Sequence, residues 1–367
     1  MSDHEQINHC NIISHQNPIW GTVIASQANF YQVKLDTEQE TQWLLCTRRT
    51  RLKKIGQKVM VGDRVLIEEP DWQAGRGAIA QVSPRVTELL RPPVANADLI
   101  VLVFALQEPS LDIRQLSSFL VKAESTSLKL CLCLNKCDLI STTQQQHWQQ
   151  RLKEWGYHPH FISVRQRLGI DELLQALTGQ IAIVAGPSGV GKSSLIDSLI
   201  PSINLRTAQV SGKLQKGRHT TRHVELFDLP GGGLLADSPG FNQPDVDYLP
   251  SNLTQYFPEA RARLESGNCQ FSNCLHRDEP NCVVRGDWER YEYYLDFLEQ
   301  AIAYQQNIQQ QANQESNLKL KVKRSGKTQY EPKLATKKYR RTNRKTKQQN
   351  LQNLYEQQLT AESEEEN

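Results

Sequence analysis

Ile181-Ala182-Ile183-Val184-Ala185-Gly186-Pro187-Ser188-Gly189-Val190-Gly191-Lys192-Ser193-Ser194 is the stretch that decides the fold. Five apolar residues, a candidate buried strand, run into G-x-x-x-x-G-K-S. Leu195 to Ile200 continues with helical apolar spacing. Strand, glycine loop and helix in this order mark a phosphate-binding loop rather than a glycine-rich turn. The glycines let successive backbone N–H groups curl round an anion, and the helix N-terminus adds partial positive charge. The expected cradle is Gly186, Pro187, Ser188, Gly189, Val190, Gly191, Lys192, Ser193 and Ser194. Lys192 is expected to reach the β- and γ-phosphates and to act in catalysis, and Ser193 to hold Mg²⁺.

Upstream, apolar runs alternate with helical patterns. Leu99–Ala105, Leu128–Leu134 and His160–Ser163 read as strands. Leu111–Ala123, Gln144–Trp155 and Asp171–Leu177 read as helices. Such alternation implies a parallel sheet covered on both faces. Asn135-Lys136-Cys137-Asp138 follows directly on one of the strands, where open α/β sheets place ligands. In an N-K-x-D turn, Asp138 would accept hydrogen bonds from N1–H and the 2-amino group of guanine. Adenine lacks both donors, and a site left unpaired in this way discriminates by roughly 10⁴. The Lys136 stem is expected to pack over the base and Asn135 to brace the loop. Ser163 and Val164 end the next strand and are expected beside the base.

Downstream, the polar stretch Ser211–Arg222 contains Gly217-Arg218-His219-Thr220-Thr221. A loop threonine whose hydroxyl joins Mg²⁺ only while the γ-phosphate is present makes a nucleotide switch. Thr221 is the expected magnesium ligand, with Thr220 as the alternative. Beside them, His219 suits a general base or a water-positioning group; contact with RNA or solvent is its other reading. Glu225–Leu229 and Gly233–Ala236 read as a strand pair ending at Asp237-Ser238-Pro239-Gly240. In such a D-x-x-G turn, Asp237 would orient the magnesium shell and the Gly240 N–H would sense the γ-phosphate. Further on, Cys269-x4-Cys274-x-His276-x5-Cys282 offers three thiolates and one imidazole, the donor set of a closed, tetrahedral structural zinc site.

GTPases ordinarily run from phosphate loop to base loop. Here the base loop comes first, so the order is that of a circular permutation, tolerated when chain ends lie close together at the surface. At this point the chain resembles the ribosome small subunit-dependent GTPase A family over about residues 19–310. The motifs that carry the resemblance are Asn135–Asp138, Gly186–Ser194, Gly217–Thr221, Asp237–Gly240 and the Cys/Cys/His/Cys spacing. It implies an OB-type barrel, a permuted GTPase domain and a helical zinc-binding domain. It implies GTP/GDP, Mg²⁺ and one structural Zn²⁺ as ligands. The implied role is late assembly of the small ribosomal subunit, with binding to its rRNA and GTP hydrolysis stimulated by the subunit. It also assigns His219 to catalysis. Consistent with that, Phe241 stands where Ras-like enzymes carry a water-orienting Gln, and an apolar side chain cannot orient water. Arg222 departs from the family pattern, where another threonine is frequent. The alternative function is a nucleotide-gated RNA-binding chaperone in which hydrolysis is incidental.

The flanks complete the domain map. Residues 1–18 are polar and expected to be disordered. Residues 19–88 show five candidate strands, Gly21–Ala25, Tyr31–Leu35, Trp43–Cys46, Arg64–Glu68 and Ala78–Val82, the pattern of a small OB-type barrel. Just past the third, Arg48-Arg49-Thr50-Arg51-Leu52-Lys53-Lys54 is either a nucleic-acid contact or a solvated loop. The GTPase domain is expected over 89–250, the zinc domain over 251–312, and a mostly disordered tail over 313–367. That tail carries 13 Lys and Arg between Lys319 and Lys347 against one acid, Glu331, while the rest of the chain holds 30 basic and 39 acidic residues. Such asymmetry points to an appendage for a polyanion, with Glu362–Glu366 available to mask it. With no cationic leader and no long apolar run, the expectation is a cytoplasmic protein with no membrane partner; a monomer is expected. The cysteine distribution suits a reducing compartment.

Overall fold

The computed structural model describes residues 19–36, 43–200, 224–237, 246–315, 318–322 and 328–332. Alternating apolar and polar residues at the start fold into β1 (Ile19–Gln27), β2 (Phe30–Leu35) and β3 (Trp43–Arg48), a single helical turn α1 (Thr50–Lys54), then β4 (Arg64–Asp71) and β5 (Arg76–Val82). The strands pair in the order β1-β2-β3-β5-β4, and β4 pairs back onto β1. With no edge left open, the result is the expected five-stranded barrel. Val23, Val33, Leu44, Cys46, Val65 and Ile79 fill it and are fully buried. The basic run after β3 is not a loop. It forms α1, whose Leu52 joins the barrel core while Arg51, Lys53 and Lys54 stay exposed.

A short hairpin that the sequence pattern did not reveal, β6 (Glu88–Leu90) with β7 (Pro93–Ala95), follows the barrel. It is held to it by the Ala95 N–H on the Val61 carbonyl at 2.8 Å and by Asn96 Nδ2 on the Gly62 carbonyl at 3.0 Å.

The α/β part runs β8 (Leu99–Ala105), α2 (Ile113–Glu124), β9 (Lys129–Asn135), α3 (Thr142–Glu154), β10 (His160–Phe161), α4 (Ile170–Leu177), β11 (Ile181–Ala185), α5 (Lys192–Leu199), β12 (Glu225–Asp228) and β13 (Leu234–Asp237). Sheet order is β10-β9-β8-β11-β13-β12. All neighbours are parallel except the β12–β13 hairpin. Every side chain of β8 is buried, as a strand covered on both faces requires. Val101, Val103 and Val184 pack with Leu173 and Leu195 on one face. Ile100, Leu102 and Phe104 pack with Leu120 and Trp155 on the other. The helix starts are set locally. Asp112 accepts from the Gln115 N–H at 2.7 Å, and Ser141 with Gln144 forms a capping box.

One pairing had no sequence signal. Ala25 of β1 lies opposite Glu225 of β12, so barrel and α/β sheet form a single eleven-stranded sheet. Lys34 and Asp228 make an ion pair beside this seam.

Beyond β13 come a 3₁₀ turn (Pro250–Tyr256), α6 (Pro258–Ser266) and α7 (Tyr291–Glu315). Residues 267–290 carry no helix or strand, so this region is helical only on either side of its Cys/His segment. Its core is aromatic: Phe257 meets Trp288 and Tyr294 edge-on at 5.4 and 5.5 Å between ring centroids. It packs on the outer face of the α/β part, where Arg114 pairs with Asp296, Lys122 with Asp247, Arg261 with Glu124 and Arg151 with Glu289. The buried Arg290 guanidinium lies between Trp155 and Phe257, 4.7 and 4.8 Å from the ring centroids, and binds Glu259 through two hydrogen bonds of 2.7 and 2.6 Å.

Two compact units divide at Ile302, and the second begins within α7. In the second unit, β14 (Leu318–Val322) and β15 (Thr328–Pro332) pair antiparallel, regular structure within a tail whose composition suggested none. Among the described residues no helix is long and apolar enough to cross a membrane.

Candidate nucleotide site and metal centre

The parallel strands put the ends of β8, β9, β10, β11 and β13 on one edge of the sheet, and the loops leaving that edge hold nearly all the nucleotide motifs read from the sequence. Asn135 is their hub. It is the last residue of β9 and 2 % exposed. Its Nδ2 donates to the Val190 carbonyl of the glycine loop at 2.8 Å, and its Oδ1 accepts from the Val164 N–H at 3.4 Å. One amide therefore ties the base loop, the phosphate loop and the serine loop together. A residue with both a donor and an acceptor is needed for that.

The next residue, Lys136, adopts a left-handed backbone (φ 59°) that turns the chain out of the strand. Its ammonium donates to the Glu108 carbonyl after β8 and to the Gly189 carbonyl at 3.4 Å. Asp138 lies in the 3₁₀ turn Cys137–Leu139, half-buried. The Cys137 N–H binds the Ile162 carbonyl at 3.1 Å and pins this turn to the end of β10. Ser163 is fully buried and accepts from the Gln166 N–H at 3.1 Å, shaping the serine loop.

The glycine loop needs its glycines at two points in particular. Gly186 has φ +136°, and a Cβ there would lie 2.1 Å from the Val103 carbonyl. Gly191 has φ +98°, and its Cβ would lie 2.5 Å from Asn135 Nδ2. Only glycine allows the loop to approach β8 and β9 so closely. Lys192, first residue of α5, spans the loop and donates to the carbonyls of Gly186 and Pro187 at 2.8 and 2.6 Å. Ser193 and Ser194 are exposed at the helix start, with their backbone donors at the positive end of the helix. Pro187, Ser188 and Val190 complete the loop at the same edge. Asp237 ends β13, its backbone opposite Val184 of β11. His219, Thr220, Thr221 and Gly240, expected at the switches, lie outside the described residues.

Cys269, Cys274, His276 and Cys282 come together as read, with all four donor atoms within 4.8 Å of one another. The edges are 3.8 Å for Cys269 Sγ to Cys282 Sγ, and 3.5 and 3.3 Å for His276 Nδ1 to those two sulfurs. A tetrahedron with Zn–S of about 2.3 Å and Zn–N of about 2.0 Å has edges of about 3.8 and 3.5 Å. The donor set therefore fits zinc. Burial pushes the Cys274 thiol up to about 12, and the crowding of Cys282 and Cys269 acts in the same sense. Three thiolates so close repel one another, and a divalent cation among them relieves that repulsion.

Residues around this centre went unread in the sequence because their contacts are long-range or to backbone. Glu279 accepts from the N–H groups of Leu275 and Arg277, both at 2.8 Å, and of Asp278 at 3.1 Å. Tyr291 and Tyr294 donate to the carbonyls of His276 and Leu275, both at 2.8 Å. Together they hold the turn on which His276 adopts φ +61°. The nearest signal in the sequence was the cluster of tyrosines after Arg290.

Comparison with known proteins agrees with this geometry. Residues 82–247 match a family model described as RsgA GTPase. A small ribosomal subunit biogenesis GTPase RsgA of Trichormus variabilis is 61% identical over 357 residues, covering 92% of this chain and 96% of that protein. The protein of the same name from Synechocystis is 54% identical, with 92% and 95% covered. Among solved structures, YjeQ from Thermotoga maritima is 30% identical with a TM-score of 0.65, covering 78% of this chain and 99% of that one. YloQ, described as a circularly permuted GTPase, is 28% identical with a TM-score of 0.67, covering 80% and 99%.

Proposed function

Because this chain belongs to the RsgA GTPase family, we propose that it hydrolyses GTP as a checkpoint in late assembly of the small ribosomal subunit, binding the subunit's rRNA and being stimulated by it. It is a GTPase of ribosome biogenesis, and a guanine nucleotide is its substrate. The observation that carries the site reading is the Asn135 amide, which fixes a base-reading turn and a phosphate-binding loop at one sheet edge.

In this reading Asp138 accepts from the guanine edge and the Lys136 stem covers the ring. Ser163 and Val164 flank it. The N–H groups of Gly186 to Ser194 hold the phosphates, and Lys192 exchanges its loop carbonyls for the β- and γ-phosphate oxygens. Magnesium, when bound, neutralises charge on those phosphates; Ser193, Thr221 or Thr220, and Asp237 are its assigned partners. His219 positions or deprotonates the attacking water, and the Gly240 N–H reads the γ-phosphate. Cys269, Cys274, His276 and Cys282 hold one structural zinc.

Nucleotide state passes from the second switch into the zinc region. Asp247, a few residues past Gly240, pairs with Lys122 of α2, which supports that route. The Arg290 joint and the Arg151–Glu289 pair make the region move with α3 rather than freely. Barrel, zinc region and basic tail are the RNA-facing parts, acting in the cytoplasm and as a monomer.

Co-sedimentation with isolated small and large subunits tests this, comparing GDP with a non-hydrolysable GTP analogue. Small-subunit binding favoured by the analogue is expected. Preference for the large subunit, or equal turnover with and without small subunits, would reject it.

A further inference from the structure

Among the described residues the barrel and the α/β sheet share only one residue pair, Ala25 with Glu225, and a cleft of about 380 Å³ opens there. That size lies within the range of about 300–1,000 Å³ usual for small-ligand sites. Its wall is the outer face of β2 and β3. Register puts Phe30, Gln32 and Lys34 of β2 opposite Thr47, Leu45 and Trp43 of β3. An outward barrel face ought to be polar, yet Phe30 is 50 % exposed, Trp43 48 % and Leu45 39 %. Phe30, Gln32, Gln27 and Leu45 line the cleft, with Val224 and Glu225 closing it from the other side. Among the described residues, the amides of Gln27 and Gln32 have no hydrogen-bond partner.

We propose that this cleft takes one unpaired nucleobase of RNA, stacked on Phe30 and read along its edge by Gln27 and Gln32. The proposal rests on the RNA-binding reading above and names the place where that binding meets the GTPase. Strands 2 and 3 of an OB barrel are its usual oligonucleotide-facing side. Splayed bases of single-stranded RNA stack on exposed aromatic rings and pair by their edges with polar side chains. The phosphates have a partner close by. Thr47 lies opposite Phe30, and the chain goes directly from there into α1, whose Arg51, Lys53 and Lys54 are exposed. Aromatic floor, amide donors and acceptors, and a basic shoulder together fit a nucleotide. A protein side chain would not need the basic shoulder.

The far wall explains why the position matters. Val224 and Glu225 follow immediately on the segment that carries Gly217–Thr221 in sequence. A base in the cleft touches the barrel and the strand leading out of the proposed first switch at once.

The test uses the full chain, a labelled single-stranded 12-nucleotide RNA and isolated small subunits. Phe30→Ala should weaken RNA binding by roughly 5- to 150-fold, the range for one lost base stack. The dependence of affinity on salt should keep its slope, since no phosphate contact is removed. Phe30→Tyr should bind like the parent, and Gln32→Ala should weaken binding less than Phe30→Ala. GTP turnover without subunits should not change, and turnover with them should fall for Phe30→Ala. Phe30 is half exposed, so the variant should melt with the parent, and a thermal scan checks this. RNA affinity unchanged in Phe30→Ala overturns the proposal. So does a flattened salt slope, or lost subunit binding with free RNA still bound, which would mean a protein partner. An unsubstituted chain that binds neither RNA nor small subunits removes the RNA reading itself, and this proposal with it.

Discussion

Asn135 Nδ2 donates to the Val190 carbonyl at 2.8 Å, and through that bond two motifs 55 positions apart in the chain become one site. Asn135→Ala removes a buried donor and acceptor and leaves the Val190 carbonyl and the Val164 N–H without their partner. Each unsatisfied buried group costs about 1–3 kcal/mol. We expect GTP and GDP affinity to fall together by at least tenfold, read by titration with a fluorescent nucleotide. Selective loss for one of the two nucleotides would contradict a bracing role.

Gly191→Ala should do comparable damage for a steric reason. The added Cβ would meet Asn135 Nδ2 at 2.5 Å while the backbone sits at φ +98°. The same change at Gly179, which has open space around it, should cost only its left-handed backbone strain, about 1–2 kcal/mol. Nucleotide affinity should separate the two variants even where chemical denaturation does not.

Asp138→Asn addresses base choice alone. An amide at this position can donate to the 2-oxo group of xanthine but cannot accept the two guanine donors. We expect guanine affinity to drop by roughly 10⁴ and xanthine nucleotides to be accepted instead, following the cost of unpaired polar groups in a specific site. Binding competition between GTP and XTP measures it. An indifferent variant would point to a phosphate loop that does not discriminate bases.

These residues were legible because their chemistry is local. A glycine loop between strand and helix, a four-residue turn after a strand and four donors within 14 positions each carry their signal in a short window. The strands and helices of the α/β part were likewise found within a few residues, since apolar runs and 3.6-residue spacing are local too. What escaped was non-local. Nothing near Ala25 marks its partner Glu225, 200 positions away, and a single shared pair leaves no pattern in either strand. The hairpin around Arg91-Pro92 is too short to show periodicity. Arg290 reads as a surface charge until Glu259, Trp155 and Phe257 are brought round it. Polarity suggested a loop for the run after Arg48, where the single apolar Leu52 was enough to pin a helical turn to the barrel core.

Arg290 and Glu259 predict a large and reversible effect on stability. Arg290 is fully buried and Glu259 nearly so. Removing one partner leaves an uncompensated buried charge, costing about 3–5 kcal/mol, whereas replacing both with apolar residues of similar size is often neutral. Arg290→Met and Glu259→Leu should each lower the melting temperature markedly, and the double variant should recover most of the loss. Additive losses would show that Arg290 acts mainly through its aromatic neighbours.

Metal removal should unfold the zinc region locally. Cys269→Ser or Cys282→Ser should abolish bound zinc, since a closed site of four donors has no spare ligand. Glu279→Ala should keep the metal but bind it about 10–100-fold more weakly, the usual cost of losing a group that orients the ligands. Zinc released to a colorimetric chelator during titration separates these cases. The nucleotide site should keep its affinity in all three variants. A parallel loss of GTP binding would mean that the metal centre supports the α2 and α3 face more broadly than the Lys122–Asp247 and Arg151–Glu289 pairs imply.

His219→Ala decides between the two functional readings. If His219 positions or deprotonates water, subunit-stimulated turnover should fall by about 10²–10⁴, the usual contribution of a general base. GTP affinity should hold, because the residue belongs to neither the base loop nor the phosphate loop. Failing to hydrolyse, the variant should accumulate on small subunits and be found with them after sedimentation in the presence of GTP. A nucleotide-gated RNA chaperone would behave differently: its GTP and GDP states would still exchange by dissociation, and subunits would mature at the normal rate. Phe241 sharpens the test, since it stands where Ras-like enzymes orient water with Gln. Phe241→Gln in the His219→Ala background should restore part of the turnover if the missing element is water positioning, and none if it is proton removal. Full turnover in His219→Ala alone would assign the chemistry to another group and leave the histidine a contact to RNA.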